Sequence, residues 1–99
     1  MTHYARRTDD NHAAIRDGLR APELGYEVID RSNIGRGEPD LMVKTRQYQR
    51  PLWVEIKMPG EHLTAAESTF FEFWGDCCIM VTSIEDAINQ IEHKDCFMV

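Results

Sequence analysis

The segment Leu52–Lys57 (LWVEIK) constrains this chain more than any other. Its period of two puts Leu52, Val54 and Ile56 on one face and Trp53, Glu55 and Lys57 on the other, which reads as a strand. A carboxylate and an ammonium therefore share a face with a tryptophan. Upstream, Pro39 introduces a second short apolar strand, Asp40–Val43; a proline is tolerated there because no ladder donor is yet required. The polar stretch Lys44–Arg50 between them reads as a hairpin connection. Antiparallel pairing would bring Asp40 within ~5–8 Å of Glu55 and Lys57, depending on register.

Around this pair the chain alternates cleanly. Residues 9–21 read as a first helix, with Asp9 or Asp10 as its cap and Pro22 and Gly25 marking its end. Tyr26–Asp30 reads as a strand, and Arg31–Glu38 (RSNIGRGE) as a loop with two glycines. Met58–His62 is a loop. Thr64-Ala65-Ala66-Glu67 matches a capping box, so a helix is expected from Thr64 to about Trp74, stopped by Gly75. Cys77–Thr82 reads as a buried strand, and Ser83 opens a last helix to about Glu92. The order αβββαβα implies an α/β fold, a four-stranded mixed sheet flanked by helices, in one domain spanning residues 1–99.

Composition bounds the function. The net charge of −6 is unevenly spread. Residues 1–60 carry ten of the eleven Lys and Arg and net +1, whereas residues 61–99 net −7. A mildly basic first half is compatible with a nucleic-acid partner. No apolar run approaches the ~18 residues of a membrane span, and the N-terminus lacks a secretory apolar stretch. A soluble, cytoplasmic protein is expected. Cys77, Cys78 and Cys96 form a poor disulfide framework and read as reduced thiols. Phe70, Phe71, Phe73 and Trp74 crowd the second helix, and one face cannot bury all four. Some are expected in the core and others at a subunit contact, with base stacking the weaker reading because the surrounding charge is negative.

Two carboxylates converging with a lysine on a sheet face carry a heavy desolvation cost unless compensated. A hard divalent cation, Mg²⁺ or Mn²⁺, would compensate them: Asp40 and Glu55 supply two oxygens, and the carbonyl of Ile56 a third. Such an ion acidifies a bound water and stabilises charge on a phosphodiester. Lys57 would orient or deprotonate that water, or steady the phosphate. By spacing alone the pattern is loose, many unrelated strands satisfy it, and a plain salt bridge between Glu55 and Lys57 on a solvated strand is the commoner reading.

Gly37-Glu38-Pro39-Asp40-Leu41-Met42-Val43, followed by Leu52-Trp53-Val54-Glu55-Ile56-Lys57, resembles the G-x-P-D and E-x-K strands of PD-(D/E)XK nucleases. Among them the chain is most similar to VRR-NUC domains and archaeal-type Holliday junction resolvases, including short phage-borne members. Leu19-Arg20…Gly25–Val28 is similar to their first helix and strand, and Leu63-Thr64…Glu67…Phe70 to the helix after E-x-K. The resemblance covers about residues 9–90. It implies a restriction-endonuclease-like fold, catalytic Asp40, Glu55 and Lys57, hydrolysis of structured or branched DNA, a homodimer, and a cytoplasmic location (the host's, if phage-borne).

Many relatives carry a glutamate in the first helix that completes the metal site. Here the matching stretch is Asp9-Asp10-Asn11-His12, leaving Asp10, Asn11 or His12 to stand nearest. Asn11, Arg31, Ser32 and Arg36 are candidate contacts to nucleic acid, the last three in the loop before Pro39-Asp40. Arg6, Arg7, Arg16 and Arg20 are a weaker candidate for a backbone-contacting stripe. Two alternatives remain: a catalytically silent nuclease-fold module that binds DNA or a protein, and an RNA endonuclease.

Overall fold

The computed structural model describes the backbone of residues 3–94 and the side chains of residues 11–94. Cys96, one of the three cysteines, lies outside the described residues. The elements run α1 (His3–Leu19), β1 (Glu27–Asp30), β2 (Leu41–Lys44), β3 (Leu52–Ile56), α2 (Ala65–Trp74), a 3-10 turn (Gly75–Cys77), β4 (Cys78–Val81) and α3 (Ile84–Glu92). The strands form one mixed sheet in the order β1-β2-β3-β4. β1 pairs antiparallel with β2 and β2 with β3, while β3 and β4 run parallel across the α2 crossover. This is an α/β fold with a four-stranded mixed sheet and three helices.

The register sorts the side chains by face. Val28, Leu41, Val43, Leu52, Val54, Ile56, Ile79 and Val81 form the core with Ile15 and Leu19 of α1 and Ala87 and Ile91 of α3. The other face carries Met42 and Trp53, paired across β2 and β3, and then Glu55. β3 is buried along its whole length, so both faces of the central strand are covered. The hairpin between β2 and β3 is anchored through Tyr48, whose hydroxyl donates to the Ile91 carbonyl and accepts from the Lys94 amide.

Two expectations need correction. α1 begins at His3, so Asp9 and Asp10 lie inside it and neither caps its start. Nothing between residues 3 and 8 breaks a helix, because the stretch has no Gly or Pro. Cys77 lies in the 3-10 turn ahead of β4, half-buried, while Cys78 is buried on the strand; both thiols are free.

The capping signals behave as read. The Thr64 hydroxyl accepts from the Glu67 amide, and the Glu67 carboxylate accepts from the Thr64 amide, closing the capping box of α2. Ser83 caps α3 by accepting from the Asp86 amide. No residue of α2 is fully buried. Phe70 and Phe71 are half-buried, and Trp74 and Phe73 are 43% and 82% exposed. None of the four aromatics therefore joins the core. Among the described residues, no helix is long and apolar enough to cross a membrane.

Candidate metal and catalytic site

β2 and β3 pair with Leu41 opposite Val54. One step further along that register sets Asp40 opposite Glu55, on the face away from the core. The strands thus bring the two carboxyl groups together at the end where β2 begins. Asp40 Oδ2 accepts the Ile56 amide at 2.9 Å. The next residue in register, Pro39, has no N–H to offer the Ile56 carbonyl, which leaves that oxygen without a ladder donor from β2.

Glu55 is 4% exposed, and its Oε1 has no hydrogen-bond donor in the protein. Burial raises its pKa above the ordinary glutamate range, and the negative charges of Asp40 and Glu67 raise it further; Lys57 offsets only part of this. Burial likewise raises Asp40, against the amide of Ile56. Two carboxyls that resist ionisation together, one with an orphaned oxygen, are what a divalent cation would relieve. The donor set fits: two carboxylates and the Ile56 carbonyl are hard oxygens, and Mg²⁺ fills its remaining positions with water. Among the described residues, no group of three or more His, Cys, Asp or Glu side chains is arranged to hold a metal. The set therefore stays at two side chains and a carbonyl.

Lys57 follows β3, with its amide bonded to the Val81 carbonyl. Its ammonium lies 3.8 Å from Glu55 Oε2 and 2.8 Å from Glu67 Oε1. Burial alone would lower the lysine, but the Glu67 carboxylate outweighs it and keeps the ammonium charged. Glu67 is the residue that sequence reasoning missed. The capping box identified its role at the helix start, and a local motif carries no signal of the lysine ten positions upstream. Gly37 completes the arrangement from the other side. It adopts φ +82°, and a Cβ there would lie 2.7 Å from the Ala66 backbone. The first turn of α2 thereby packs tightly against the chain that leads into Asp40.

The first helix supplies other contacts. Asn11 donates to the Lys57 carbonyl at 3.0 Å, fixing the end of β3. The buried His12 lies 3.1 Å from Asp30 Oδ2, which Arg16 also binds at 3.1 Å. The amide and hydroxyl of Ser32 both donate to Asp30 Oδ1. Burial works against Asp30, yet these donors win and hold its carboxyl well below the usual range. Asn11 thus holds a strand end and His12 holds Asp30, while the charge of His12 also favours the Asp40 carboxylate. The side chain of Asp10 lies outside the described residues.

In the loop, Arg31 forks onto Glu38 at 2.9 and 3.3 Å, and its guanidinium lies 5.8 Å from the Trp53 ring centre. Arg36 is exposed at φ +63°, a conformation rare for a side-chain-bearing residue. Of the candidate nucleic-acid contacts, Arg31 and Arg36 stand on the loop that leads to Asp40. Ser32 is committed to Asp30 and Asn11 to β3. Of the stripe's cations, Arg16 is paired with Asp17 and Asp30, and Arg20 donates to the Val28 carbonyl.

Comparison with family models, curated proteins and solved structures finds no match for this chain.

Proposed function

We propose that this chain is a divalent-metal-dependent nuclease with a restriction-endonuclease-like fold of the PD-(D/E)XK type. It would hydrolyse phosphodiesters of structured or branched DNA, working as a homodimer. The observation that carries this reading is the buried Asp40–Glu55 pair with its orphaned Glu55 oxygen and a charged lysine at its edge. A structural salt bridge between Glu55 and Lys57 does not account for it, because Asp40 adds a second carboxyl that the lysine leaves unneutralised.

Asp40, Glu55 and the Ile56 carbonyl would hold Mg²⁺ or Mn²⁺. When bound, the ion supplies an acidified water and neutralises charge on a phosphodiester oxygen. Asp40 Oδ2 is fixed by the Ile56 amide, and the other oxygen would be the one offered to the ion. Lys57, kept as an ammonium by Glu67, serves as a donor to the phosphate or to the attacking water rather than as a base. The burial of Glu55 keeps bulk water from screening these charges.

The test is cleavage of labelled linear, flapped and four-way-junction DNA with Mg²⁺ or Mn²⁺, beside Lys57→Ala. Metal-dependent cutting is expected, reduced about 10²- to 10³-fold in the variant, the scale for removing one charge-stabilising donor. Absence of cutting on every substrate by folded wild-type protein would sink the proposal. One observation favours a second reading, a silent module that binds DNA or protein: Asn11 and His12, at the position where relatives carry a ligand, are both engaged elsewhere. Binding of the DNA that survives Asp40→Ala without any cutting by wild type would select it.

A further inference from the structure

The loop from β1 to Asp40 is tied at its ends and along its length. The Arg31 amide donates to the Asp40 carbonyl at 2.7 Å, closing the loop on a member of the carboxylate pair. Inside it, the Ile34 amide donates to the Arg31 carbonyl at 3.0 Å and the Glu38 amide to the Gly35 carbonyl at 3.1 Å. The Arg31 side chain forks onto Glu38 across these turns. The second turn, residues 35–38, carries positive φ at both central positions, +63° at Arg36 and +82° at Gly37. That is the pattern of a type I′ turn, in which glycine, asparagine and aspartate are the residues at ease. Gly37 also answers to packing, because a Cβ there would lie 2.7 Å from the Ala66 backbone. Neither the turn nor the packing calls for an arginine at position 36, and its left-handed backbone costs the fold stability.

The charges around the carboxylate pair leave that arginine over. Lys57 is held by Glu67, and Arg31 by Glu38. The exposed Arg36 guanidinium has no hydrogen-bond or ion-pair partner among the described residues. The acids of the neighbouring segments are already engaged. Glu38 accepts from Arg31, Glu67 from Lys57 and the Thr64 amide, and Glu61 from the Met58 amide. Asp40 and Glu55 are the two that a divalent ion would neutralise. The turn also stands beside the site: Gly37 lies against Ala66, the residue before Glu67. A strained, exposed and unpaired cation on a tied loop at the rim of an acidic site suits an anion supplied from outside the chain.

We propose that Arg36 anchors a backbone phosphate of the bound DNA strand, next to the phosphate that is cut, from a turn that keeps it there at a cost to the fold. The position relative to the cut rests on the nuclease reading; the phosphate contact does not. A guanidinium presents a planar fork that matches two phosphate oxygens. Such a contact sets the register of the strand and reads no base. The other candidate contacts are taken up within the chain: Asn11 by the Lys57 carbonyl, Ser32 by Asp30 and Arg31 by Glu38.

The probe is a labelled four-way-junction DNA, titrated at several salt concentrations with divalent metal withheld so that nothing is cut. Arg36→Asn removes the charge and leaves a residue that the turn accepts; Arg36→Lys keeps the charge. Arg36→Asn should bind about fivefold more weakly at low salt, and the slope of log affinity against log salt should shrink by about 1, the loss of one phosphate contact. Arg36→Lys should recover most of the slope. With Mg²⁺, Arg36→Asn should raise KM and leave kcat unchanged, because the contact is made equally before and during the chemical step. The melting temperature of Arg36→Asn should equal or exceed that of wild type.

An unchanged salt slope in Arg36→Asn overturns the proposal, as does a melting temperature below wild type, which would assign the side chain to the fold. A fall in kcat at constant KM overturns it too, since the arginine would then act on the transition state. The nuclease reading fails separately. A protein whose salt slope depends on Arg36 but which cuts nothing with Mg²⁺ or Mn²⁺ keeps the anchor and loses the hydrolysis. Metal-dependent cutting with an unchanged slope in the variant keeps the nuclease and loses the anchor.

Discussion

Asp30 and Glu55 sit near the ends of strands β1 and β3, on opposite faces of one sheet, and their surroundings push them in opposite directions. Asp30 is met by four donors: the Ser32 amide and hydroxyl, His12 and Arg16. Its carboxyl is held well below the ordinary range. Glu55 is more deeply buried, with one oxygen orphaned and two negative neighbours, and it is pushed up. The fold supplies the Asp30 carboxylate with donors and leaves one oxygen of Glu55 with none. A charge that the chain supplies with donors supports the structure. A charge left without them marks a place where something outside the chain completes the set.

Removing the satisfied charge should cost most. Asp30→Asn loses the charge that His12 and Arg16 bind, and should destabilise the protein by about 2 kcal/mol, an estimate kept modest because the site is partly exposed. The pH dependence has a definite sign. A depressed carboxyl contributes stability that is present above the unfolded value of about 3.9 and lost as pH falls through the lower folded value. Urea denaturation from pH 7 to pH 2 should show wild type losing its advantage in acid and converging on the variant. Parallel curves across that range would mean that the Asp30 cluster carries no folding energy.

The unsatisfied charge should behave in reverse. Glu55→Gln keeps the shape and removes the burden, so metal-free protein should become more stable by about 1 kcal/mol at neutral pH. A raised carboxyl contributes stability that is present below the unfolded value of about 4.3 and lost as pH rises through the folded one. The gain should therefore grow from acid toward alkaline pH, opposite to Asp30→Asn. Mg²⁺ should raise the melting temperature of wild type and leave Glu55→Gln unmoved, because a bound ion stabilises only the protein that holds it. A Glu55→Gln protein less stable than wild type in EDTA at pH 8 would show that the two faces do not differ as drawn.

The satisfied features were the easier ones to read from the chain, except where they join distant segments. The alternation of Leu52–Ile56, the capping box at Thr64 and the Ser83 cap are local patterns, and local patterns survive translation into structure. The pairing of Asp40 with Glu55 was readable only as a range of distances. Its register is fixed by a hairpin whose Tyr48 is tied to the end of α3, some forty residues away. The His12–Asp30 pair and the Lys57–Glu67 pair are likewise long-range, and no spacing rule announces them. The start of α1 was misplaced because Asp9 and Asp10 resemble caps, while nothing upstream of them halts a helix. The exposed end of α2, with Phe73 and Trp74, is legible only as an excess of aromatics.

Glu67 gives the finest test of the contrast, because it belongs to both sides of it. Its carboxylate closes the capping box on the Thr64 amide at 2.8 Å and holds the Lys57 ammonium at 2.8 Å. Glutamine also closes a capping box, so Glu67→Gln separates the two duties: the cap stays and the charge beside Lys57 goes. The variant should keep its helix content and melting temperature and lose about threefold in kcat with KM unchanged, less than 1 kcal/mol of transition-state stabilisation. Glu67→Ala should lose the same activity and about 1 kcal/mol of stability besides, from the missing cap. Unchanged kcat in the glutamine variant would reduce Glu67 to a helix cap. A drop in melting temperature as large as that of the alanine variant would show that the carboxylate serves the fold after all, and that the division between a satisfied face and an unsatisfied one runs through this side chain rather than beside it.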